Sequence, residues 1–165
     1  MLMTDQGRTA DEDFRALLDF LNDTPNKLAH LTDGLSDDEF GLKSSHDEFS
    51  ALENICHLRD LELQGYTERI RRILAEADPV LADFDGARVA AESSYNSEQP
   101  GVALEAFQTA RQDNVELLRA LTEVELEREG TLAGVGRITV KRLAELMREH
   151  DEGHLEDLRV LCLRI

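Results

Sequence analysis

Apolar residues in this chain recur at intervals of three and four, and that periodicity leaves little choice of architecture. Such spacing keeps side chains on one face of a helix, whereas strands alternate by two. Phe14, Leu17, Leu18 and Leu21 form one stripe in a segment starting near Asp11. Thr24-Pro25 interrupts it; Thr caps helices and Pro is tolerated at a first helical position, so a kink or restart is predicted there. Leu28 and Leu31 carry the face on to Gly34, and Ser36-Asp37-Asp38-Glu39 reads as the cap of one short turn in a polar connection over 34–49. A second segment opens at Ser50, with Glu53 three residues later completing a capping box. Ile55, Leu58, Tyr66, Ile70, Ile73 and Leu74 mark its inner face, and it ends near Ala77 because Pro79 follows. A third runs from about Gly101 to Glu125 through Leu104, Phe107, Val115, Leu118 and Leu121, and a fourth from near Thr139 almost to the C-terminus.

Four long amphipathic helices predict an all-α four-helix bundle in a single domain, residues 1–165. Parallel neighbours need a long crossover, and the longest connection, 78–100, lies between helices 2 and 3, so the expected order is up-down-down-up. One short helix around Ala87–Glu92 is expected within that connection. The few β-branched stretches are too short to predict a strand. Gly134-x-Gly136 has no preceding strand and no following Lys-Ser/Thr, so it reads as a flexible connector before helix 4 and not as a phosphate loop.

With 18 Lys+Arg against 35 Asp+Glu, the formal net charge is −17. That charge repels phosphate backbones and anionic lipid, so neither nucleic acid nor membrane is an expected partner. No stretch approaches the ~20 apolar residues of a spanning helix, and Met1 to Asp13 is polar and acidic with no signal-peptide core, so a cytoplasmic protein is expected. Cys56 and Cys162 are far apart and read as reduced thiols. Adjacent helical residues point ~100° apart, so Cys56 is not expected to join His57 in a site. Arg69, Arg71 and Arg72 read as a solvated basic cluster.

The most informative stripe is on helix 4: Leu143, Met147, His150, His154, Leu158, Leu161. Two histidines occupy core positions four residues apart, where two imidazoles can converge on one ion. His57 lies near the inner face of helix 2, about 10 Å from its start, and His154 about 15 Å from the end of helix 4, at ~1.5 Å per residue. Those depths match if helices 2 and 4 run antiparallel, as up-down-down-up requires. Three histidines with an open fourth position describe a catalytic metal site; spacing alone equally allows a metal-free, hydrogen-bonded cluster. Asp60, one turn after His57, and Asp151, beside His150, are candidates to accept from an imidazole and fix its tautomer. Glu62 is a further candidate, and for all three acids the alternative is a solvated helix face. His30 and His46 fall outside the pattern and read as surface residues.

The chain resembles the DinB/YfiT-like superfamily of four-helix bundles. The resemblance rests on Leu17-Leu18 through Thr24-Pro25, on Phe49-Ser50-Ala51-Leu52-Glu53 running into His57-Leu58-Arg59-Asp60-Leu61-Glu62, on Ile138-Thr139-Val140, and on His150-Asp151-Glu152-Gly153-His154-Leu155. Phe49 stands where many members carry Trp, and residues 78–130 match only loosely. The resemblance implies a divalent metal, nickel or zinc with manganese as a further choice, held by His57, His150 and His154. It implies a homodimer acting on a small molecule, either by thiol S-transfer with a low-molecular-weight thiol cosubstrate or by metal-assisted hydrolysis. The competing expectation is a non-catalytic dimeric binding or stress-response bundle with a vestigial histidine cluster.

Overall fold

A computed structural model describes residues 10–165; residues 1–9 of the polar N-terminal stretch lie outside it. Four long helical spans dominate. The first, α1 (Ala10–Leu31), is followed by the single turn α2 (Asp37–Phe40). The second span is α3 (Ala51–Asp60), a π-helical turn at Leu61–Tyr66, and α4 (Thr67–Ala75). The third is α6 (Pro100–Ala120), trailed by α7 (Glu123–Leu126), and the fourth is α8 (Val140–Cys162). Between α4 and α6 lie β1 (Val80–Leu81), α5 (Gly86–Glu92) and a 3₁₀ turn at Tyr95–Ser97. The helix starts follow their caps. Ser50 closes a complete capping box with Glu53, Ser36 does the same with Glu39, and Thr139 caps α8 through the Arg142 amide.

The helices pack α1 on α6 and α8, and α3 on α6 and α8. Three apolar clusters fill the interior, the smallest made of Leu52, Ile55, Cys56, Tyr95 and Ala103. Of the two larger ones, one gathers Leu17, Leu18, Leu21, Ile70, Ile73, Val115, Leu118, Leu143 and Met147, and the second gathers Leu28, Leu58, Phe107, Leu158 and Leu161. Between them, at Thr24, Glu62, Arg111, Asn114 and Asp151, the bundle is crossed by buried polar side chains. Among the described residues no helix is long and apolar enough to cross a membrane.

Five expectations need correction. The chain does form strands: β2 (Glu129–Leu132) and β3 (Gly136–Thr139) pair antiparallel, and β1 adds parallel to β2. The three-residue turn 133–135 puts Gly134 at φ 77, with Gly136 at φ 101, so these glycines build a hairpin and not a loose connector. Such short strands carry too little alternation to register as a pattern.

α1 continues through Pro25 as one helix, with no restart there. A proline inside a helix strands the carbonyl four residues back. Here that carbonyl, Leu21 O, accepts from Arg111 Nη1 at 3.1 Å, so a side chain of α6 supplies the missing donor. The third helix stops at Ala120, because Thr122 caps a new turn and forms a capping box with Glu125. Finally, only Arg71 and Arg72 of the basic cluster pair at the surface; Arg69 is buried, facing Tyr66, and donates to Ala82 O at 3.2 Å.

Candidate metal centre

His57 projects from α3, and His150 and His154 from consecutive turns of α8. Their side chains meet: His150 Nε2 lies 3.3 Å from His57 Nε2 and 3.2 Å from His154 Nε2. One ring nitrogen from each residue falls within 4.8 Å of the others. No carboxylate or carbonyl stands between the rings in these contacts. A neutral imidazole has one N–H donor and one lone pair, so protons serve such a trio pairwise, whereas one cation serves all three lone pairs together. Two nitrogens bound at 2.0–2.1 Å to a tetrahedral ion stand about 3.3 Å apart. The donor set and the spacing of His150 to each neighbour therefore fit a divalent ion, with the rest of its coordination sphere left to water or substrate.

Burial keeps the trio neutral. Loss of solvent pushes the His57 pKa down to about 4 and that of His150 down to about 3, with neighbouring imidazoles adding to both shifts. His154 is lowered for the same first reason, against an opposing pull from Asp151.

The surroundings fix the ring orientations unequally. His154 Nδ1 lies 2.7 Å from Asn54 Oδ1. Asn54 Nδ2 donates to Ser50 O at 2.9 Å, which turns its amide oxygen toward the ring. Nδ1 of His154 is then the donor, and Nε2 presents its lone pair to the cluster. The Nδ1 atoms of His57 and His150 are buried and have no hydrogen-bond partner among the described residues. Phe49 stacks on His154 with ring centroids 6.4 Å apart and tilts against His57 at 5.3 Å; Phe84 tilts against His57 at 6.1 Å. Beside His154, a cavity of about 370 Å³ is lined by Phe49, Asn54, Asp157, Leu161 and Arg164, among others.

The acids singled out in the sequence are all buried, against the solvated alternative. Their carboxylates are bonded elsewhere than to the rings. Asp60 accepts from Tyr95 Oη at 2.7 Å and from Arg59 Nε at 2.8 Å. Asp151 accepts from Arg111 Nη1 at 2.5 Å and from Thr24 Oγ1 at 2.8 Å. Glu62 accepts from Arg111 Nη2 at 2.9 Å and from Asn114 Nδ2 at 2.8 Å. Burial works against the Arg111 cation, but the two carboxylates outweigh it and raise its pKa. Asp60 still acts on His57, and Asp151 on His154, through charge alone.

His30 and His46 are exposed and distant from the trio in role, as expected. Both cysteines are free. Cys56 is buried, and burial pushes its thiol up to about 12, away from the reactive thiolate form. Asn54, Arg111, Asn114 and Tyr95 escaped the sequence reading. Only Arg111 left a signal, as a charge inside the stripe Leu104, Phe107, Arg111, Val115, Leu118.

Among solved structures, the chain matches YfiT from Bacillus subtilis, which is described as a probable metal-dependent hydrolase with an unusual four-helix bundle topology. The match covers 98% of this chain and 92% of that one, with a TM-score of 0.86 and 19% identity, and so establishes a shared fold. No curated protein matches in sequence. The DinB superfamily pattern matches residues 21–158, which include all three histidines, and on that span the chain belongs to the DinB superfamily.

Proposed function

We propose that this protein is a metal-dependent enzyme of the DinB class acting on a small molecule, with a divalent ion held by His57, His150 and His154. The observation that carries this reading is the convergence of three imidazole nitrogens, with His150 Nε2 at 3.2 and 3.3 Å from its neighbours. Nickel or zinc suits an all-imidazole donor set, and manganese suits it less. A divalent ion held by these residues would supply Lewis acidity, the chemistry that makes a water or a thiol nucleophilic near neutral pH. Within this chain, Asn54 fixes the His154 tautomer, and Asp60 and Asp151 act by charge on His57 and His154. Thiol S-transfer with a low-molecular-weight thiol is the first chemistry to assay. Metal-assisted hydrolysis is the second, and is the activity ascribed to the B. subtilis relative.

The up-down-down-up order belongs to the same reading. It is supported by the pairing of Asn54 with His154 and of His57 with His150, in which sequence rises on α3 as it falls on α8. A single domain over 1–165 agrees with a match that spans 98% of the chain.

The test is elemental analysis of protein purified without a histidine tag, after incubation with nickel, zinc and manganese separately. About one equivalent of ion per chain is expected, lost in His154→Ala. Less than about a tenth of an equivalent in the wild type would defeat the metal reading. With loaded protein, turnover of thiol–electrophile pairs against ester substrates separates the two chemistries.

A further inference from the structure

The connection between α4 and α6 is tied down along its length. At its start, β1 joins the sheet through β2, and the carbonyls of Val80 and Ala82 accept from Arg72 and Arg69. At its end, Tyr95 bonds Asp60, Ser50 donates to Asn96 Oδ1 at 2.8 Å, and Arg59 pairs with Glu98. Between these ties the backbone at Gly86 lies against the His57 ring. A Cβ built on Gly86 would fall 2.4 Å from His57 Cε1 and 2.9 Å from Nδ1. Side-chain Cβ atoms do not approach carbon this closely, so one partner has to move. The connection is anchored on both sides. His57 is 7% exposed, and its ring packs against those of Phe49 and Phe84.

We infer that Gly86 is a positioning residue for the candidate metal centre: its missing side chain lets the connection press on His57 and hold that ring within reach of His150 and His154. The inference rests on the metal reading for its consequence, but the contact itself does not. His57 Nδ1 has no hydrogen-bond partner among the described residues. Where Asn54 orients His154 by a hydrogen bond, close packing by Gly86 and the two phenylalanines orients His57.

The test compares wild type, Gly86→Ala and Gly101→Ala. Gly101 is a control because nothing lies within 4 Å of its virtual Cβ. Cobalt(II) is the probe, its affinity measured by chelator competition and its geometry by visible absorption. Gly86→Ala is expected to bind about 10–100-fold more weakly, the usual cost of losing a group that orients a ligand. Its absorption spectrum should change, whereas Gly101→Ala should keep the wild-type spectrum. Wild-type affinity and spectrum in Gly86→Ala would overturn the inference.

If the wild type binds no ion, the metal reading fails by itself. The positioning claim is then read from the His57 ring signals in NMR spectra of the metal-free proteins. They should shift in Gly86→Ala and stay fixed in Gly101→Ala, and unshifted signals would overturn it. If Gly86→Ala does not fold, Tyr95→Phe replaces it. Loosening that tie should lower cobalt affinity by a smaller factor with the same spectral change, and unchanged affinity would overturn the inference.

Discussion

At the scale of single residues, the candidate centre divides into parts that announce themselves and parts that do not. His150 and His154 stand four apart inside an apolar stripe, so helix periodicity alone puts them on one inward face. Asn54 carries no such mark, because its partner His154 is a hundred positions away. Its role makes a sharp prediction. In Asn54→Ala the His154 ring loses its acceptor, and metal affinity measured by chelator competition should fall about 10–100-fold. Cys56→Ala, which removes a buried thiol adjacent to a ligand, should leave the metal equivalents per chain at the wild-type value.

At the scale of the secondary-structure elements, Arg111 binds the bundle together across its polar layer. It donates to Leu21 O on α1, to Glu62 in the π-helical turn and to Asp151 on α8. Its residue on α6 is 1% exposed, and both carboxylates are fully buried. Arg111→Met removes the only cation of this group and leaves two buried anions facing each other. Breaking a buried pair from one side destabilises by about 3–5 kcal/mol, and a urea midpoint shift of that size is expected. A change below about 1 kcal/mol would mean the layer contributes little. The same side chain explains why α1 continues through Pro25, a position where local sequence rules predict an interruption. The small sheet has a similar lesson. Four residues of β2 and four of β3 give no readable alternation, yet together with β1 they anchor the connection that carries Gly86.

At the scale of the whole molecule, the charge of −17 is spread over helix faces where many acids meet arginines at i+3 or i+4, as in Arg71 with Glu68 and Arg159 with Glu156. Exposed pairs of this kind contribute little individually. The unbalanced remainder repels itself, and salt screens it over a Debye length of ~10 Å at 0.1 M. The melting temperature should therefore rise between low salt and about 0.15 M sodium chloride. A fall would mean that surface ion pairs outweigh the repulsion.

The sequence by itself determined the helical class, the caps at Ser36 and Ser50, the inward faces, and the three histidines. All of these are local: a 3.6-residue period and a cap are written within a few positions of chain. The tertiary structure alone decided the rest. It turned Asp60, Glu62 and Asp151 inward to Tyr95 and Arg111, gave His154 to Asn54, supplied Leu21 with a donor from α6, and pressed Gly86 onto His57. These contacts join residues roughly 30 to 100 positions apart. Burial makes each polar group find a partner, but which partner depends on how the helices are packed, and no local pattern encodes that.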